Sequence, residues 1–270
     1  MEILMKRSLV LMAALTTILV VSPASFARRQ LLLVSNSQMD QMGAEAFDKL
    51  KASDKLSRDP RRLAQSRCVV DALVAVLPPQ MSRQPWEVQV FDDPNPNAFA
   101  LPGGKVGVNT GMFSVIRSQD ELAAVIGHEI AHVTSQHANE RVSRQMLAGV
   151  GLDMLGAYTG SKTSPERAKL IMGAMGLGAQ VGVLLPNTRK QEAEADARGQ
   201  EFMARAGFDP AQAVTLWQHM MSASKNGAPP QILSTHPDPQ NRIRELARRA
   251  PGLQADYRAA RSGGRRPACF

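Results

Sequence analysis

Apolar residues recur every three to four positions in LLLVSNSQMDQMGAEAFDKLK and in PRRLAQSRCVVDALVAVLP, which is the period of an amphipathic helix and predicts two helices. The pattern then changes. WEVQVFDD alternates apolar and polar residues as a strand does, DPNPNAFALPGG is dense in turn formers, and KVGVNTGMF alternates again, so a small antiparallel sheet is expected. Ser118 followed by Glu121 is a capping-box pattern, and LAAVIGHEIAHVTSQHANERVSRQMLAGV behind it reads as one long helix. From Ile171 to Leu185 the segment IMGAMGLGAQVGVLL has no charge and four glycines. It is short and glycine-rich for a membrane span, and suits either a close-packed segment or a membrane-surface contact. Asn187 and Thr188 open a further helix, TRKQEAEADARGQEFMARAG, closed by Gly207, and Asp209-Pro210 and Asp238-Pro239 start two more. No repeat of fixed period and no low-complexity linker divides the chain, so we expect one mainly helical α+β domain.

The chain has 270 residues, 44% of them hydrophobic and 21% charged, enough for one large folded domain. The N-terminus differs from the rest. Lys6 and Arg7, an uncharged run from Leu9 to Val21, and the small-residue pattern Ser25-Phe26-Ala27 have the order of a secretory signal peptide. A run of 13 residues is too short to cross a bilayer. Residues 1–27 are therefore expected to be a signal peptide and 28–270 a single exported domain with a basic tail from about 255, the periplasm being its compartment. Losing Lys6, Arg7 and Glu2 with the signal takes the net charge from +8 to +7 (8 − 2 + 1). The excess lies in RIRELARRA and after Tyr257, where it reads as a solvated surface or as a peripheral contact with anionic lipid. Export argues against nucleic acid as a partner. In that compartment Cys68 and Cys269 are either a disulfide or two free thiols, and neither has the close spacing of a metal site.

The chemistry is concentrated in GHEIAHVTSQH. His128 and His132 are four apart, about 40° round a helix, and can present two imidazole nitrogens to one ion. Glu129 sits beside the first, where its carboxylate can take a proton from a bound water. This is the H-E-x-x-H arrangement of zinc peptidases. A catalytic zinc needs a third protein ligand, and the downstream helix offers Glu192, Glu194 and Asp196. Glu192 and Asp196 share a face, while Glu194 points elsewhere. One of the pair can ligate the ion while the other accepts a hydrogen bond from a ligand imidazole and fixes its tautomer. His137, five after His132 and about 140° round a continuous helix, reads as a surface or core-edge group, and His219, Trp86 and Trp217 as packing.

HEIAH, then NAFALPGGKVGVNTG before it and EAEAD some sixty residues after it, resemble the HtpX, BepA and LoiP group of zinc metallopeptidases, relatives of the CaaX prenyl endopeptidases. The resemblance runs from about Trp86 to Arg244. It implies a zincin-like fold with one Zn2+ held by His128, His132 and Glu192, with Glu129 as general base and Asp196 as outer support. STHPDPQNRI resembles the group's later His-Pro segment, which implies that His236 and Arg242 face the active site. There they would stabilise an oxyanion, or His236 would occupy the fourth zinc position in a latent state. The resemblance further implies that the strand from about Phe99 to Val108 binds substrate backbone by strand addition. The sequence departs from the group in having Ala27-Arg28 where many exported relatives have a lipid-bearing Cys, and no helical-repeat module is expected in the residues after Arg249.

The expected activity is that of an exported zinc metalloendopeptidase acting on unfolded or misassembled envelope proteins. The competing expectation is a periplasmic chaperone-like protein whose His-capped zinc only holds helices together.

Overall fold

The helix that carries H-E-x-x-H is buried on every side. In the computed structural model, which describes residues 30–158, 187–225, 231–236 and 238–270, every position from Glu121 to His132 is buried. The signal segment 1–27 and the glycine-rich segment Ile171–Leu185 lie outside the described residues. Leu31–Phe270 form one compact unit. Among the described residues no helix is long and apolar enough to cross a membrane.

The first two helices, α1 (Asn36–Ser53) and α2 (Pro60–Val74), begin at side-chain caps, Ser35 and Asp59, and precede a short α3 (Pro79–Ser82). Three strands follow, β1 (Glu87–Phe91), β2 (Ala98–Leu101) and β3 (Lys105–Asn109), and a single turn, α4 (Met112–Val115). The sheet is mixed rather than antiparallel. Its order is β1-β3-β2, with β3 antiparallel to β2 and parallel to β1. The β2–β3 hairpin turns through Gly103 and Gly104, both with positive φ (77° and 73°) that favours glycine. It folds β3 into the space beside β1, which leaves β2 on the edge. Alternation reveals strands but not their lateral order.

Helix α5 (Gln119–Thr134) is capped by Ser118, whose hydroxyl accepts from Glu121 N at 3.2 Å, while the Glu121 carboxylate accepts from Arg117 N. The single long helix expected here is two. Gln136 adopts φ 53°, in the left-handed region, and α6 (His137–Tyr158) starts afresh. Helix α7 (Arg189–Ala206) has a full capping box at Thr188 and Gln191 and ends at Gly207, φ 88°, with Phe208 N donating to Met203 O. Helices α8 (Gln212–Lys225), α9 (Gln231–Thr235) and α10 (Pro239–Ser262) complete the chain.

The core runs from Val69 and Leu73 of α2 through Val106 and Val108 of β3 and Ile126 of α5 to Met203 and Leu216 of α7 and α8. Within it α5 and α7 meet backbone to backbone at Gly127 and Gly199. The basic tail expected from about 255 is helix as far as Ser262. Beyond it the chain is fastened to the body, because Cys269 is disulfide-bonded to Cys68 and Gln119 bonds both Pro267 O and Cys269 N.

Candidate metal centre

Three helices and one loop converge on a buried cluster. α5 supplies His128, Glu129 and His132, α7 supplies Glu192 and Asp196, the segment after α9 supplies His236, and the first turn of α10 supplies Arg242. The i, i+4 spacing on α5 puts the Nε2 atoms of His128 and His132 3.0 Å apart. Glu192 reaches both imidazoles, 3.3 Å from His128 Nε2 and 3.4 Å from His132 Nε2. His236 Nδ1 lies 3.1 Å from His128 Nε2 and 3.0 Å from Glu192 Oε2. One ligand atom from each of His128, His132, Glu192 and His236 thus falls within 4.8 Å of the others, a group able to hold a metal ion.

The donor chemistry fits a divalent cation such as zinc: three imidazole nitrogens and a carboxylate, with a second carboxylate next to them. That second carboxylate is Glu129. Its Oε1 is buried and makes no hydrogen bond among the described residues, with His236 Nε2 3.4 Å away. A buried carboxylate oxygen without a hydrogen bond is costly unless something else in the site engages it.

Electrostatics set the two ligand histidines apart. Burial and the Arg242 guanidinium push His128 down, but its bonds to Asp196 and Glu192 outweigh both and bring it up to about 9. Burial dominates at His132 and holds it well below the usual imidazole range, so its lone pair is available. Burial would raise Glu192 and Asp196. The surrounding histidines overcome this for Glu192, and Arg242 and His128 for Asp196, and both stay well below the usual carboxylate range. Glu192 and Asp196 therefore stay ionised inside the cluster.

Asp196 lies where an outer partner would. Its Oδ1 is 3.0 Å from His128 Nδ1. Arg242 is held against the acids: Nε and Nη2 bond the two Asp196 oxygens at 2.8 and 2.6 Å, Nη1 is 2.9 Å from Glu192 Oε2, and Trp217 covers the guanidinium at 3.7 Å. The cleft on the strand side is lined by Asn97 to Ala100, Glu129, His132, Arg141, Asn187, Thr235 and His236, and Arg242 is not part of that wall. So His236 faces the cleft, whereas Arg242 backs the ligands from behind.

Sequence reasoning missed three neighbours of the cluster. His137 is buried, with its Nδ1 2.7 Å from His132 Nδ1, and Glu194 Oε2 lies 3.4 Å from His137 Nε2. Trp217, whose place in the pattern reads as packing, stacks on Arg242. A five-residue histidine spacing after H-E-x-x-H was the available signal for His137, but on an unbroken helix it points away.

A helix bearing H-E-x-x-H, whose imidazoles meet a carboxylate from a second helix, is the site architecture of zinc peptidases. Residues 60–250 match peptidase family M48, and the chain belongs to that family. It is 34% identical over 239 residues to the mitochondrial metalloendopeptidase OMA1 of Schizosaccharomyces pombe, covering 84% of this chain and 65% of that protein. It is 31% identical over 222 residues to the beta-barrel assembly-enhancing protease of Yersinia pestis, covering 80% of this chain and 45% of that protein. The Escherichia coli protein of the same name is 29% identical over the same length, with 80% and 45% covered. The chain thus spans between 45% and 65% of these relatives' own lengths.

Proposed function

We propose that this protein is an exported, periplasmic zinc metalloendopeptidase that cleaves internal peptide bonds in unfolded or misassembled envelope proteins. The observation that carries the reading is the convergence of His128, His132, Glu192 and His236 within 4.8 Å, with the buried Glu129 carboxylate beside them. Family membership supports the activity, and the name of the beta-barrel assembly-enhancing relatives, together with the signal-like N-terminus, supports the compartment and substrate class. The mitochondrial OMA1 relatives share the peptidase region but belong to another compartment by name.

In this reading His128, His132 and Glu192 hold one Zn2+, which when bound supplies a Lewis acid that lowers the pKa of water and polarises the scissile carbonyl. Glu129 takes the proton of the attacking water and returns it to the leaving amine nitrogen. Asp196 holds His128 with its lone pair on Nε2. His236, placed among the ligands, caps the site in a latent state and moves aside for substrate. The substrate backbone pairs with the outer edge of β2. The antiparallel register points the backbone groups of Asn97, Phe99 and Leu101 at β3 and those of Ala98 and Ala100 outward along the strand-side cleft.

Metal analysis is expected to find one zinc per chain. Glu129→Gln is expected to keep that zinc while hydrolysis of an unfolded protein falls on the order of a hundred- to ten-thousandfold. Full turnover in this variant would overturn the reading, and unchanged holdase activity with no hydrolysis in the parent would favour the chaperone-like alternative.

A further inference from the structure

A chain of contacts joins His132 to Glu194 through His137, a residue outside the H-E-x-x-H motif. The proton positions along it follow one by one. Nε2 of His132 faces His128 Nε2 and Glu192, so a cation held there as proposed above would leave the single proton of His132 on Nδ1. That Nδ1–H donates to Nδ1 of His137 at 2.7 Å, which must then be the accepting nitrogen. The proton of His137 is left on Nε2, 3.4 Å from the Glu194 carboxylate that accepts it. With His132 Nε2 given to the cation, the neutral tautomers that fit these contacts are Nδ1–H on His132 and Nε2–H on His137.

The other ligand histidine has a carboxylate beside it with no bridging ring, His128 Nδ1 lying 3.0 Å from Asp196 Oδ1. Alternate positions of α7 therefore serve three purposes. Glu192 enters the cluster, Asp196 bonds one ligand directly, and Glu194, on the other face, reaches the second ligand because an imidazole bridges the gap. The left-handed Gln136 makes this possible, since it turns the chain so that α6 begins with His137 over His132 instead of carrying it away.

We infer that His137 and Glu194 form a relay that fixes the tautomer and ring orientation of His132, and that His137 is a positioning residue of the metal centre. The inference rests on the metal reading under Proposed function. A His137 that only filled space would be replaced without loss by an aromatic ring of similar bulk.

The test is zinc affinity, measured in the full-length protein by competition with a chromophoric chelator, for His137→Phe, His137→Gln and Glu194→Gln. Removing the acceptor in His137→Phe is expected to weaken zinc binding about 10- to 100-fold. His137→Gln keeps an oxygen that can accept from His132 and is expected to recover most of that loss. Glu194→Gln is expected to lose less than His137→Phe, because its side chain is 31% exposed and water can replace it. Long-range proton–nitrogen NMR spectra of the zinc-loaded protein should place the protons on Nδ1 of His132 and Nε2 of His137. Zinc affinity within twofold of the parent for both His137 variants, or a proton on Nδ1 of His137, overturns the relay while leaving the metal site standing. A parent that binds no zinc refutes the metal reading itself. Should His137→Phe not fold, His137→Gln and the spectra decide.

Discussion

Gly199 of α7 lies so close to His128 of α5 that a Cβ built on the glycine would sit 3.0 Å from the His128 backbone nitrogen, and one on Gly127 would sit 3.3 Å from Gly199 O. The two helices meet backbone to backbone, two turns along α7 from Glu192. This approach brings carboxylates of one helix within reach of imidazoles of the other. Gly199→Ala gains about 1 kcal/mol of helix propensity but must push α5 and α7 apart, and overpacking of this kind costs about 1–3 kcal/mol. A lower melting temperature and weaker zinc binding are expected, with Gly199→Val worse. Thermal melts with and without chelator read both effects, and an unchanged zinc affinity in Gly199→Val would show that the spacing does not set the site.

Arg242 is tied to Asp196 by two hydrogen bonds and covered by Trp217, and a role in supporting the acids predicts a different outcome from a role as oxyanion donor. Arg242→Ala strips a fully buried pair of its cation, a change of about 3–5 kcal/mol. The variant should be destabilised even in chelator and should bind zinc weakly, and Arg242→Lys, which can neither fork nor stack, should rescue little. An oxyanion donor would behave oppositely, with turnover lost and zinc retained. The pH dependence has a definite sign. Asp196 is held below the usual carboxylate range, so its share of stability is present above about pH 4 and is lost as pH falls through the lowered value. Acid unfolding of the chelated protein should show that limb, and Asp196→Asn should flatten it.

Much of this was legible from local chemistry. Helix ends at Ser118, Thr188 and Gly207 follow from caps, which involve neighbours in sequence, and the shared face of Glu192 and Asp196 follows from helical spacing. What the pattern misjudged depends on distant contacts or on one backbone angle. Nothing in a glutamine announces φ 53°, yet Gln136 decides where His137 goes, and with it Glu194. The orientation of Arg242 depends on Trp217 from another helix. The position of β3 between its neighbours was equally beyond an alternation pattern.

His236 stands among the ligand atoms, with Nδ1 3.1 Å from His128 Nε2. A side chain that caps the cation competes with substrate for the same place. His236→Ala is therefore expected to raise turnover of an unfolded protein several-fold with the zinc content unchanged. A drop of about a hundredfold would instead give His236 the oxyanion role.

Cys269 and Cys68 close a loop with a sequence separation of 201 residues, and Gln119 grips the tail beside the bond. Cross-links of this span act largely on the unfolded chain and contribute about 2–5 kcal/mol. Replacing both cysteines by serine should lower the melting temperature by several degrees, and reductant should do the same to the parent but not to the variant. Zinc affinity should stay within twofold, since neither cysteine touches the metal cluster.

The edge of β2 gives the sharpest test of how substrate binds. The register turns the N–H of Ala100 outward, away from β3, so a proline there removes no bond of the sheet, whereas a proline at Phe99 removes one. Ala100→Pro should fold, melt near the parent temperature and hold zinc normally. It should nevertheless lose at least about tenfold in kcat/KM toward an unfolded protein, a loss of about 1.4 kcal/mol of backbone pairing in the transition state. Phe99→Pro should instead lose the fold. If Ala100→Pro cleaves as the parent does, substrate does not add to this edge, and the residues lining the cleft must hold it through side chains alone.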